Sequence, residues 1–264
     1  MTTELADRFR ALHVPGEPLL LPNPWDLGSA RVLATLGFSA LATTSSGFAA
    51  TLGRLDGTVT REEALAHGAQ IAAGVDLPVS ADLENGFADE PAGVAETVRA
   101  AVMAGLAGCS VEDFTGSAIY EATLATERVA AAVEAAAGRI VITARAENYL
   151  HERVDLADTI ARLQSFAAAG ADVVYAPGVL APDEIATLVT EVGRPVNVLA
   201  LPSAPSVAEL ADLGVARISV GGAFAFAALG ALAEAGRELL DQGSYGFWAR
   251  AAVGDQVAET AFGE

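Results

Sequence analysis

PAGVAETVRAAVMAGLAGCSVED, residues 91–113, holds the pattern that decides the fold. An Ala-rich amphipathic stretch over 91–105 closes on Gly105. The apolar run Gly108–Val111 follows and ends in two acids, Glu112 and Asp113. Period 3.6 gives way to a short β-prone run, with a glycine where a helix needs a left-handed terminator. The unit recurs at 154–175, where VDLADTIARLQSFAAAG leads into ADVVY.

Reading outward, the same alternation runs from end to end. Apolar runs lie at Leu19–Leu21, Phe38–Thr44, Pro78–Leu83, Gly108–Val111, Ile140–Ala144, Asp172–Tyr175, Val196–Leu199 and Arg217–Val220. Helix-like stretches separate them near 28–36, 60–74, 91–105, 126–138, 154–169, 181–192, 206–213 and 223–241. Thr60 before Glu62 and Glu63, Ser206 before Glu209, and Pro182 with Asp183 and Glu184 mark helix starts. Gly37, Gly105, Gly170, Gly193 and Gly214 mark helix ends. Eight strand–helix units without a linker predict one (β/α)8 TIM barrel over residues 1–264 rather than an open doubly wound sheet. The tail 244–264, with Tyr245, Phe247 and Trp248, is expected to pack on a neighbouring subunit of a homo-oligomer.

Composition narrows the chemistry. Of 264 residues 52% are hydrophobic and 19% charged, enough for a large core and far from the signature of disorder. A net charge of −19 argues against nucleic acid, which demands a basic footprint. All fifteen basic side chains are arginines; with no lysine, Schiff-base, pyridoxal and P-loop chemistry are excluded. Three histidines and one cysteine, Cys109, show no zinc-ligand spacing and no disulfide framework. No apolar run reaches membrane-spanning length, and the N-terminus lacks a secretory pattern, so a cytoplasmic protein is expected.

A barrel builds its site at the C-terminal ends of its strands. There stand Thr43-Thr44-Ser45-Ser46-Gly47, Asp82-Leu83-Glu84-Asn85-Gly86, Glu112-Asp113 and Arg145-Ala146-Glu147-Asn148. Asp82 and Glu84, two apart on one strand, would share a side, and with Glu112 suit a hard divalent cation, Mg2+ or Mn2+. Arg145 ends an apolar strand, where its guanidinium is placed to grip a carboxylate or phosphonate, or to pair with Glu112 or Glu147. Ser45-Ser46-Gly47 reads as an anion-holding turn. Thr51–Val59, with Gly53, Asp56 and Gly57, reads as a loop that closes over the site.

These segments, together with Asn23-Pro24-Trp25-Asp26, Ser29-Ala30-Arg31, Leu52-Gly53, Asp56-Gly57, Phe87 and Ala144-Arg145-Ala146-Glu147, resemble the isocitrate lyase/phosphoenolpyruvate mutase superfamily from about residue 20 to 240. The resemblance implies that Ser46 and Gly47 contact a substrate carboxylate or enolate. Asp56 would sit on a mobile loop, Asp82 would ligate Mg2+, Glu84 and Glu112 would hold its water shell, and Arg145 would bind the distal anionic group. Asp56, Arg145 and Glu112 would then carry the chemistry, passing through an enolate.

Two departures stand out. The superfamily's lyases carry a Lys-(Lys/Arg)-Cys-Gly-His loop after the fourth strand, whereas residues 114–121 read FTGSAIYE. Glu84 stands where Asp is common. Tyr120, Glu121 and His151 are the candidates for the missing acid/base. The resemblance implies a Mg2+-dependent lyase or hydrolase cleaving a C–C bond of a 2-oxo or 2-hydroxy di-acid. The alternatives are a carbon–phosphorus enzyme (phosphoenolpyruvate mutase or phosphonopyruvate hydrolase) and a non-catalytic barrel that binds 2-oxo acids.

Overall fold

In the computed structural model, residues 2–263 are described, and their eight strands are all parallel. The strands are β1 (Leu19–Leu21), β2 (Leu41–Ala42), β3 (Val79–Asp82), β4 (Gly108–Glu112), β5 (Val141–Arg145), β6 (Val173–Tyr175), β7 (Val196–Leu199) and β8 (Arg217–Ser219). Hydrogen-bonded pairing runs β1-β8-β7-β6-β5-β4-β3-β2. The ring closes where Ala42 N–H donates to Pro22 O just past β1, at 3.1 Å. Parallel strands covered by helices on the outside and by one another on the inside are near-continuously apolar, as these are.

The eight expected helices form as α2 (Leu27–Thr35), α4 (Arg61–Gly74), α5 (Pro91–Met103), α6 (Ala122–Ala136), α7 (Leu156–Ala168), α8 (Pro182–Glu191), α9 (Val207–Asp212) and α10 (Ala223–Gln242). Thr60 and Ser206 each complete a capping box, with Glu63 and Glu209 returning the hydrogen bond. Gly105 and Gly170 take the left-handed conformation at φ +80° and +102°, which terminates α5 and α7.

Three further helices lie outside the barrel repeat: α1 (Thr2–Ala11), α3 (Ser45–Thr51) and α11 (Trp248–Phe262). Helix α1 closes the N-terminal end of the barrel. Its Phe9 is fully buried among Leu19, Leu21, Ala40, Ala107, Val141 and Val173. Gly108 admits it, since a Cβ there would stand 2.9 Å from the Phe9 ring and 3.0 Å from Val141 O.

The tail is helical. Helix α11 packs on α2 of its own chain, with Phe262 against Gly28. The preceding α10 instead keeps most of its apolar face exposed, including Phe226, Leu232 and Leu240. Among the described residues no helix is long and apolar enough to cross a membrane.

Candidate active site

The C-terminal ends of the strands surround a cavity of about 660 Å³. Its centre is Arg145, the last residue of β5. Three carboxylates face it: Glu147 Oε1 at 2.7 Å from Nε, Glu112 Oε1 at 2.8 Å from Nη1 and Asp82 Oδ1 at 3.3 Å from Nη1. The strands dictate this meeting, because Glu112 and Arg145 are register partners across β4 and β5. Asp82 ends β3; its Oδ1 also accepts from Ser110 Oγ and its Oδ2 from the Ser45 amide, each at 3.2 Å.

Charge is out of balance. Glu84 and Asp56 also line the cavity, so five carboxylates share it with two arginines, Arg145 and Arg217, and three of the five pair with Arg145. Burial and then the negative charges of Asp82 and Asp56 push the Glu84 carboxyl up to about 7. Burial also raises Asp56, with Asp82 adding to the shift and the Ser45 side chain opposing it. Burial pushes Glu112 well up despite Arg145, with Glu147, Asp82 and Glu84 adding to the shift. Burial pulls Arg145 down, but Glu112, Glu147 and Asp82 more than offset it. Arg145 therefore stays protonated.

The expected site residues therefore converge, with corrections. Ser45-Ser46-Gly47 is the first turn of α3 rather than a free turn, because Thr44 accepts from the Gly47 amide as its N-cap. Gly47 is required by packing, since a Cβ would fall 2.5 Å from Thr44 Cγ2 and 3.1 Å from Trp25 Cβ. Asp82 and Glu84 do not alternate on one strand: β3 ends at Asp82, and Glu84 adopts φ +47° in the turn beyond. Its side chain nonetheless reaches the cavity. Asp56 stands at the rim, on a loop shortened at its start because Thr51 belongs to α3.

Of the three acid/base candidates, only His151 lines the cavity, stacked on Phe114 with ring centroids 3.5 Å apart. Tyr120 turns away: its hydroxyl donates to Asp89 Oδ1 at 2.5 Å, and Arg128 covers its ring. Glu121 is exposed at the start of α6 and does not line the cavity.

A buried scaffold holds the acids in place. Arg128 on α6 donates to the carbonyls of Asn85, Ala88 and Glu112, tying the β3 and β4 loops together. Arg162 on α7 meets Asp113 at 3.1 Å, and Asp113 accepts from the Glu147 amide at 2.8 Å. Tyr175, Asn197, Arg217 and Ser219 also line the cavity. Sequence reading passed over them as parts of apolar strands, although Asn197 and Arg217 interrupt otherwise apolar runs and could have been flagged.

Among the described residues no three His, Cys, Asp or Glu side chains are arranged to hold a metal ion on their own. Mg2+ can bind through one or two carboxylates while keeping several waters, and Asp82, Glu84 and Glu112, which line the same cavity, are the residues here that could offer them.

A parallel (β/α)8 barrel builds its site at the C-terminal ends of its strands, and here that end is lined with acids around the buried Arg145. The chain belongs to the phosphoenolpyruvate phosphomutase family, whose model matches residues 9–240, within the isocitrate lyase/phosphoenolpyruvate mutase superfamily. A Burkholderia cenocepacia J2315 protein classed as a lyase/mutase superposes with a TM-score of 0.94 at 50% identity, over 100% of this chain and 97% of that one. An uncharacterized protein of Mycobacterium tuberculosis is 36% identical over 235 residues, 88% of this chain and 89% of its own. A 2,3-dimethylmalate lyase of the superfamily superposes with a TM-score of 0.81 at 28% identity, over 92% and 89% of the two chains.

Proposed function

We propose that this protein is a Mg2+-dependent enzyme that cleaves a C–C bond of a small 2-oxo or 2-hydroxy di-acid through an enolate. The observation that carries the reading is five carboxylates against two arginines in one cavity, with Glu84 pushed up to about 7. The 2,3-dimethylmalate lyase activity named for a superposable relative supports C–C cleavage.

Asp82 would hold the ion, with Glu84 and Glu112 holding its water shell. When bound, Mg2+ supplies positive charge against the developing enolate. The hydroxyls of Ser45 and Ser46 line the cavity and offer hydrogen bonds to a substrate oxygen. Arg145, held by Glu147 and Glu112, keeps its second terminal nitrogen free of hydrogen bonds among the described residues and can receive a carboxylate. Asp56 at the rim would exclude water when its loop closes. His151, which lines the cavity, would exchange a proton with substrate at the mouth.

Calorimetric titration of Mg2+ into the parent and Asp82→Ala tests the metal. A coupled assay for 2-oxo acid release, run on hydroxy and oxo di-acids with Mg2+ or EDTA, tests the reaction. Equal Mg2+ binding by both proteins, or no metal-dependent release, defeats the reading. A second reading, carbon–phosphorus chemistry, draws on the phosphomutase family model. Phosphonopyruvate in the same assay distinguishes it.

A further inference from the structure

One inward-facing row of side chains follows the strand register around the barrel. Glu112 is opposite Arg145, Arg145 opposite Tyr175, Tyr175 opposite Asn197 and Asn197 opposite Arg217. Barrel strands tilt against the axis, so a row of register partners slants from one end of the barrel toward the other. This row starts at the acidic mouth and ends at the floor, where Arg217 meets His13 at the end of α1.

Arg217 is 4% exposed, yet no carboxylate pairs with it among the described residues. Nε donates to Asn197 Oδ1 at 2.9 Å, and Nη1 donates to Thr143 Oγ1 at 3.1 Å. The remaining contact is His13. Its Nδ1 lies 2.8 Å from the Phe9 carbonyl and so carries the proton, which leaves Nε2 as a lone-pair acceptor 3.3 Å from Arg217 Nη1. Burial and then the nearby Arg217 hold the His13 ring neutral, its pKa pushed down to about 3. Nη2 makes no hydrogen bond among the described residues, and Arg217 lines the cavity. Burial pulls the guanidinium down to about 10, the expense of a buried cation satisfied only by neutral groups.

A buried guanidinium with a free edge in a substrate-sized cavity is an unfilled anion receptor. We propose that Arg217 binds a substrate carboxylate at the inner end of the cavity, so that the ligand is a dianion spanning from Arg145 to Arg217. Tyr175 and Asn197, between the two arginines in the row, face the middle of such a ligand. The assignment rests on the di-acid reading above and names the site of its second carboxylate.

The test is calorimetry with non-reacting probes: malonate, succinate and glutarate against propionate and butyrate, each with Mg2+ and with EDTA. The readout is the ratio of dicarboxylate to monocarboxylate affinity within each condition. The parent should favour its best dicarboxylate at least about tenfold, the scale of one charge-assisted hydrogen bond. Arg217→Lys keeps the charge but loses the fork, and the preference should fall toward unity. Asn197→Asp keeps Arg217 and supplies an internal counter-ion beside Nε. It should lose the preference equally while melting no lower than the parent, so a folding defect in the first variant leaves the test standing. Dicarboxylates that bind the parent no better than monocarboxylates, or either folded variant retaining the parental preference, overturn the proposal. Because no turnover is measured, failure of the lyase reading leaves this result untouched. Metal-dependent cleavage without the preference defeats this proposal alone.

Discussion

Arg145 and Glu112 face each other across β4 and β5 and meet at 2.8 Å, while the same guanidinium also holds Asp82 and Glu147. One cation therefore stands between three acids that would otherwise repel. Arg145→Gln keeps most of the volume and removes the charge. We expect a loss of about 3–5 kcal/mol in EDTA, the cost of leaving buried charges unpaired. Mg2+ should restore more stability to this variant than to the parent in matched thermal melts. Equal metal effects on both would separate Arg145 from the metal region.

Protonation supplies a second expectation. The folded-state Glu84 carboxyl lies at about 7 against an ordinary 4.5, so the folded protein binds the proton more tightly than the unfolded chain. Its contribution is favourable at low pH and is lost as pH rises from about 4.5 through 7. Asp113, raised by burial to about 6, acts in the same sense. His13 acts oppositely, since a buried neutral ring loses stability as pH falls below 6.5. The difference between the parent and Glu84→Gln isolates the term: in EDTA the variant's melting temperature should fall less between pH 5 and 8. Mg2+ binding to the parent should release protons below about pH 7 and weaken as pH falls.

The rim loop over 52–60 carries Gly53 and Gly57 at φ +68° and +74°, with no atom near either position. Asp56 stands on it close to Ser45. If the loop closes over bound ligand, Asp56→Ala should reduce turnover at least about tenfold while stability and Mg2+ affinity change little. Limited proteolysis gives an independent readout. The loop should be cut in the free protein and protected when Mg2+ and a di-acid are both present. Equal cleavage in both states means it is no lid.

Helix α10 leaves Phe226, Leu232 and Leu240 in solvent, with Trp248 exposed at the start of α11. We expect this apolar face to be covered by a second copy of the chain. Light scattering behind size exclusion should show an oligomer. Leu232→Glu with Leu240→Glu should convert it to monomer with the secondary structure intact. A monomeric parent would refute the assembly.

Much of the fold was legible because its punctuation is chemical. Gly105 and Gly170 follow helices whose terminators must be left-handed, and Thr60 and Ser206 precede glutamates that complete capping boxes. Strand ends carried the acids and Arg145 for the same reason, since apolar parallel strands leave little else polar to notice. What escaped was whatever depends on register. Asn197 and Arg217 are single polar letters within apolar runs, and nothing local tells which strands they face. Tyr120 misled because a loop tyrosine after β4 gives no sign that Asp89 and Arg128 will turn it away from the cavity. The packing of α11 on α2 also escaped, because the tail's sequence does not name the helix it will meet.

Phe9 on α1 and His13 just past its end close the floor of the barrel. The cavity is thus a blind well with one entrance shared by everything that comes and goes. A reaction that splits one molecule in such a well imposes a queue: the fragment nearer the mouth departs first, and the fragment at the bottom waits behind it. Product inhibition should carry that signature. The inner fragment should compete with substrate for the empty well, whereas the outer fragment should act against a form already holding the inner one. Were the enzyme to cleave its substrate as proposed, the order of release would then follow from a floor that does not touch the reacting bond.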